Sequence, residues 1–439
     1  MKTIRYTLRL TYAFINKFKA VLFLSMLVGL ILFIVVSTIA PQYFGRSSVR
    51  IGITGRYQSN ELPPEILNEI GDGLTSLDST GSAVPNLAQS WESQDNGKTW
   101  IFKIDTTKKW QDGSPVTSEN ISYEYSDVEI QRPDLETIVF KLDDAFSPFP
   151  TVVSRPTFRT GLLGTDLWKV EKVTVTGSFV SELIMKDKKG NQKIYRFFPT
   201  ESGTKLAFKR GKIDKIVELF DPAPLKDWKT VEVKVNTNKD KVVTLFFNTK
   251  DKLFADKSIR QAFVYAINKD DFEGERAISP LSPDSWAFNS QVKKYQYDKE
   301  RAKELLKEVP SELLSEEVKI VSTPFLLPLA EKISAQWNEL GIKSIVQVTS
   351  VVPSEFQVYL TIFDIPDDPD QYPVWHSTQQ LTNISKYENP RIDKLLEDGR
   401  LEVKREERKN IYYDFQRFLV EDMPAAFLYH PLTYELTRK

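Results

Sequence analysis

One uninterrupted apolar run constrains this chain more than any other feature. From Ala20 to Ala40 it reads AVLFLSMLVGLILFIVVSTIA, with nothing more polar than serine, threonine or glycine. A helix of about 20 apolar residues crosses the roughly 30 Å hydrocarbon core of a bilayer with its backbone groups satisfied internally. Lys2, Arg5, Arg9, Lys17 and Lys19 stand before or at the edge of the run, and no acidic residue occurs before Glu61. That asymmetry holds the basic flank in the cytoplasm and puts everything beyond residue 40 outside. The rival reading is a cleaved signal peptide, whose apolar core is typically about 7–15 residues. A cut after Ala40 would also have to precede Pro41. Length favours an uncleaved anchor: residues 1–19 a cytoplasmic tail, 20–40 a transmembrane helix in the lipid bilayer, 41–47 a linker.

At 439 residues the chain exceeds one ordinary core, so the part beyond the linker is expected to form two or three folding units. It has no cysteine and two histidines. Disulfides, thiolate zinc sites and a cysteine nucleophile are therefore excluded, and nickel or haem ligation by side chains is disfavoured. Without the five N-terminal cations, 54 basic residues face 60 acidic ones. No basic tract suggests nucleic acid as a partner. Neither a G-x-S-x-G elbow nor an H-E-x-x-H pair is present, which argues against a hydrolase.

Strands and helices mix without simple alternation. VRIGIT (49–54) reads as a first strand and LPPEILNEIGDGL as a helix with proline at its start. SWESQDNGKTWIFKI (90–104) reads as a hairpin in which Asn96-Gly97 takes the positive φ values of a two-residue turn. Trp100, Phe102 and Ile104 then share one face, and Trp91, Trp100 and Trp110 are expected in a core. Residues 168–250 are rich in β-branched residues and predict sheet, with a short helix near TKLAFKRG (204–211). Helices follow behind Asp256, Asp298 and Asn389 as N-caps, and another stops at Gly341. EERKNIYYDFQRFLVED ends before Pro424, and AAFLYHPLTYEL returns as one strand.

Residues 363–376, FDIPDDPDQYPVWH, concentrate four aspartates, three prolines, three aromatics and a histidine. Asp364, Asp367, Asp368 and Asp370 offer oxygen ligands for calcium, but the EF-hand glycine and terminal glutamate are missing, and no metal is expected. Acid/base catalysis lacks a nucleophile to serve. The plain reading is a proline-stiffened loop between the strand EFQVYLTIF (355–363) and a helix, its acids capping backbone amides. Elsewhere, Arg56 and Tyr57 leave the first strand at its C-terminal end, where open α/β sheets place ligands.

The stretch 73–123 resembles the N-terminal signature of extracytoplasmic solute-binding proteins of the oligopeptide, dipeptide and nickel class, which serve ABC importers (substrate-binding family 5). Pro85, Leu87, Ala88, Ser90 and Trp91, then Gly97 and Lys98, then Trp110, Asp112, Gly113, Pro115 and Val116 match its ordered motifs. Residues 245–272 and 389–431 are similar to its crossing strand and its C-terminal helix pair. The resemblance implies an α/β, two-lobed, periplasmic-binding-protein-like (type II) fold behind the N-terminal transmembrane helix. Lobe one would hold 48–240 with 421–439 returning to it, and lobe two 241–420. The short step from ISYEYSD to ETIVFKL implies that the family's small third subdomain is trimmed.

The same resemblance implies no enzyme and no cofactor, but a membrane-tethered, single-pass subunit capturing peptides or similar small solutes by lobe closure, for delivery to permease subunits. An extracytoplasmic sensor or chaperone using the same fold is the alternative, since fold does not fix function. The family carries an aspartate for the ligand's α-amino group in the segment equivalent to the acidic loop. Asp364 is the nearest candidate, with Tyr372, Trp375 and His376 able to line the cleft or to fill the second lobe's core. Asn248 on the crossing strand could bond ligand backbone or cap its own turn, and Arg56 could pair with a ligand carboxylate. His430 is expected to be structural.

Overall fold

In the computed structural model residues 2–44 and 47–439 are described, with side chains at 12–21, 23–34 and 47–439. The first helix, Lys2–Phe44, contains the apolar run and projects exposed apolar side chains such as Phe23, Met26 and Phe33. Among the described residues no single straight helix is long and apolar enough to cross a membrane. Two stretches, Tyr12–Val21 and Phe23–Ile34, meet the requirement together at a mutual angle of 57°.

The strand Ser48–Thr54 opens a seven-stranded mixed sheet. It lies between two parallel neighbours, Gln192–Phe198 and Lys215–Leu219. Beyond the first come Phe179–Lys186 and Lys169–Thr176; beyond the second, Leu432–Arg438 and Val231–Thr237. Alternation puts Ile51 and Ile53 against Ile66, Leu67 and Ile70 of the helix Pro64–Ile70. On the opposite face a β-carbon at Gly52 would stand 2.2 Å from Ile213 Cδ1 and 3.0 Å from Thr204 Cγ2. Glycine there lets the helix Glu201–Lys209 and the segment after it pack directly on the strand.

A second body is inserted between these strands. Ala88–Glu92, Thr99–Ile104, Thr137–Leu142 and Val128–Asp134 form a four-stranded antiparallel sheet. Its hairpin turns at Asn96 (φ 58°) and Gly97 (φ 92°), with Asp95 Oδ1 accepting from Thr99 N at 2.7 Å. Trp100, Phe102 and Ile104 are buried together with Trp110, Phe140 and Phe149. The tryptophans therefore fill a core of this small sheet rather than that of the larger one.

Apart from the short pair Thr75–Leu77 and Ala83–Pro85, the remaining strands build a six-stranded sheet in the order Glu275–Arg276, Ala425–His430, Lys241–Phe247, Val358–Asp364, Val318–Ser322, Ser344–Val348. Around it pack helices whose starts follow the sequence. Asp256 accepts from Ser258 N (2.7 Å), Asp298 from Arg301 N (2.9 Å) and Asn389 from Arg391 N (2.9 Å). Two connections join the large sheets: residues 238–240, and Pro431. Residues 425–430, expected with the first lobe, pair with Lys241–Phe247 in the second sheet, and the chain re-enters the first only at Leu432. Proline has no N–H to donate, so the single expected return strand becomes two. The connections run side by side. Asn238 N donates to Pro431 O at 2.9 Å, and His430 Nδ1 lies 2.8 Å from Lys241 O. Burial lowers the His430 pKa, leaving a neutral ring that donates to this carbonyl.

Candidate functional site

A cavity of about 810 Å³ opens where the three bodies meet. The first-lobe helix Pro64–Ile70 contributes Glu65 and Asn68, and the inserted subdomain contributes Asn86, Thr151 and Arg155. Asp367 enters from the second lobe and Asp240 from the connection 238–240. Contacts between the bodies surround the space. Trp286 N donates to Thr80 O at 3.1 Å, and Ser147 N to Arg400 O at 2.7 Å. A β-carbon at Gly81 would lie 2.6 Å from Asp367 O, so only glycine, here at φ 78°, fits that approach. Phe220 of the first lobe meets Phe325 of the second with ring centroids 5.2 Å apart.

The walls are acidic. Burial, followed by the charges of Asp240, Glu65 and Asp368, raises the Asp367 pKa. Burial, followed by Glu65, does the same for Glu218, while Lys241 opposes it. Tyr57 is raised by burial and then by Glu218 and Glu65. Burial works against the Lys241 ammonium, but its ion pair with Asp364 (2.5 Å) and the nearby Glu218 raise it. Glu65, Asp72, Asp240 and Asp367 line the cavity against one cation, Arg155, with Glu218 and the Asp364–Lys241 pair close by at the lobe boundary, and a cationic group entering here would relieve the carboxylates' mutual repulsion.

The acidic loop divides. Asp368 makes a two-armed pair with Arg408 (2.9 and 2.5 Å) on the helix Arg405–Asp422, and its Oδ1 accepts from Asp370 N at 2.9 Å. Asp370 holds Arg400 Nε at 2.9 Å and accepts from Tyr372 N at 3.1 Å. These two acids cap backbone amides and tie the loop to two helices. Asp367 opens into the cavity instead. Asp364 is 79% exposed, paired to Lys241 and within electrostatic reach of Tyr57 across the boundary.

Other candidates lie apart. Trp375 is fully buried against Phe246 and donates from Nε1 to Gln371 Oε1 at 2.7 Å. It is core, as the apolar density of the second sheet requires, and not a cleft residue. His376 is 4% exposed, with Nδ1 2.8 Å from Thr378 Oγ1 and Nε2 3.4 Å from Glu397, and it too lies outside the cavity. Tyr372 stacks on His376 (4.0 Å) and under Arg400 (4.0 Å). It faces a second cavity of about 710 Å³, between the inserted subdomain and the helix Pro390–Leu401. Asn248 caps its own turn, donating to Phe356 O (2.9 Å) and accepting from Lys250 N (3.1 Å). Arg56 is exposed over the Phe179 ring. Glu65, Glu218, Asp240 and Lys241 had no motif to announce them; the fold alone gathers them. Among the described residues, no group of three or more His, Asp or Glu is arranged to hold a metal ion.

Comparison with known proteins agrees with this geometry. The profile of bacterial extracellular solute-binding proteins, family 5 middle, matches residues 82–189 and 185–382, more than half of the chain. The oligopeptide-binding protein AppA of Bacillus subtilis is 24% identical, covering 85% of this chain and 83% of its own length. The dipeptide-binding protein of Escherichia coli is 23% identical, with 82% and 83% covered. The structure of NikZ from Campylobacter jejuni, in complex with Ni(L-His), superposes with a TM-score of 0.73 at 21% identity, covering 89% of this chain and 94% of NikZ. At that identity the superposition speaks for the fold. Together with the profile match, it leads to one statement: this chain belongs to the bacterial extracellular solute-binding proteins of family 5.

Proposed function

We propose that the protein is the membrane-tethered, extracytoplasmic substrate-binding subunit of an ABC importer, that it captures short peptides between its lobes, and that it hands them to a permease. The observation that carries this reading is the cavity of about 810 Å³ with acids entering from both lobes. Its size is within the ordinary range of ligand sites, roughly 300–1,000 Å³. The names of the relatives, oligopeptide- and dipeptide-binding, point to a solute with a free α-amino group. Asp367 is our candidate for that amine, because Asp368 and Asp370 already hold arginines and Asp364 holds Lys241. Asn68, Asn86 and Thr151 supply neutral donors and acceptors for main-chain groups, which gives affinity with little side-chain selectivity.

Capture follows from contacts made by both lobes. A ligand that touches Glu65 and Asp367 together stabilises only the closed arrangement. Shifting an open–closed equilibrium from 1:99 to 99:1 requires about 5.5 kcal/mol of differential binding. One charge-assisted bond of about 1.5–3 kcal/mol and a few neutral bonds of about 1 kcal/mol each reach that sum. The apolar run 20–40 serves as the tether in this reading, with the lobes on the far side of the bilayer from Lys17 and Lys19.

Calorimetric titration of the full chain in detergent with pools of dipeptides to nonapeptides tests the proposal. Saturable heat, lost when the peptides are N-acetylated, is expected. Silence with every pool would overturn it.

A further inference from the structure

The second lobe holds another cavity, of about 480 Å³, that shares no lining residue with the interlobe site. Lys269, Arg276 and Lys294 converge on it, with Asp270 as the one acid in its wall. Lys269 is only 6% exposed, yet its ammonium meets no carboxylate. It donates to Val264 O (2.6 Å) and Ile267 O (3.1 Å), which leaves one of its three protons over. Arg276 uses Nη1 alone for the carbonyls of Ala277, Phe427 and Leu428. Its Nε and Nη2 make no hydrogen bond among the described residues. Lys294 stands exposed at the rim beside Gln296 and Tyr297.

A buried cation without a counter-charge is costly, and a cluster of them more so. The cost is visible at Lys269, which burial, followed by the charge of Arg276, pushes down to about 6. An anion in the cavity would offset both by supplying the missing counter-charge. The free edge of Arg276 presents two parallel N–H groups, the fork that matches two oxygens of a carboxylate or phosphate. At roughly 30 Å³ per water, the space exceeds what a bare oxyanion fills and leaves room for a small substituent.

We propose that this cavity binds a small oxyanion, a phosphate or phosphomonoester, held by Arg276, Lys269 and Lys294, independently of what occupies the interlobe cleft. The site would give the second lobe a ligand of its own, bound to the edge strand Glu275–Arg276 and to the turn after the helix Lys257–Tyr265. Calorimetry on the full chain with inorganic phosphate and, separately, glycerol phosphate tests this. Saturable binding at about 1 mM or tighter is expected. Lys294→Met, at an exposed position, should weaken it about tenfold, and Lys269→Met should weaken it further while leaving the fold intact. Equal affinity for both probes would identify the bare ion as the ligand; tighter binding of glycerol phosphate would identify a monoester. No binding of either probe, or binding that both variants leave unchanged, would overturn the proposal.

Discussion

Two halves of one loop use the same side chain for opposite ends. In residues 368–370 each aspartate is buried and matched by an arginine from a neighbouring helix. In residues 364–367 the aspartates face the lobe boundary, where acids outnumber cations. The difference is one of compensation: Asp364 holds Lys241 at the surface, and Asp367 alone of the four faces the cavity without a cation of its own. A paired carboxylate fixes the loop to the second lobe, whereas an uncompensated one beside a cavity keeps its capacity to bind something else. Their arginines make Asp368 and Asp370 poor ligand candidates despite their place in so acidic a stretch.

The largest effect is expected at Arg408. Replacing it with methionine strands Asp368 without its partner, and loss of one member of a buried pair costs about 3–5 kcal/mol. Urea unfolding should show that loss; a midpoint within error of the parent would deny the pair its structural role. Asp367→Asn should do the reverse, leaving stability unchanged or slightly raised while weakening peptide binding at least about tenfold, the loss of one charge-assisted bond. Unchanged affinity would remove Asp367 from the site.

A smaller effect is expected in the pH dependence of the same variant. Because the folded-state pKa of Asp367 is raised, the native protein binds its proton more tightly than the unfolded chain does. Its contribution to stability is therefore most favourable below the usual aspartate value and declines as pH climbs through the raised one. The parent should gain on Asp367→Asn as pH falls across that window, and parallel curves would show that the shift is absent. Smallest of all is Asp364→Asn. Asp364 is 79% exposed, so its pair with Lys241 should contribute under about 1 kcal/mol, and a larger drop would mean that it belongs with the buried half of the loop.

What the sequence made legible was local. Asp256, Asp298 and Asn389 announce helices because the bonds they make reach only two or three residues along the chain. Asn96-Gly97 announces its hairpin for the same reason. The ordered motifs of residues 73–123 pointed to the family, and the profile match agrees. The site was harder to read. Glu65, Asp240 and Asp367 come from segments more than a hundred residues apart, and nothing in the stretch 364–370 says which acids Arg400 and Arg408 will claim. Trp375 could be read as core or cleft until the second sheet packed around it. The break at Pro431 could be seen in the residue but not its consequence, which depends on the two sheets the flanking residues join.

That break has a mechanical corollary. Among the described residues, the two covalent bridges between the large sheets lie next to each other, stapled by the bonds from Asn238 to Pro431 and from His430 to Lys241. In the capture mechanism proposed above, crossings so close together make the line through them the natural axis about which the halves would swing, like a book about its spine. A pulling experiment should find that spine stiff in shear and soft in flexion.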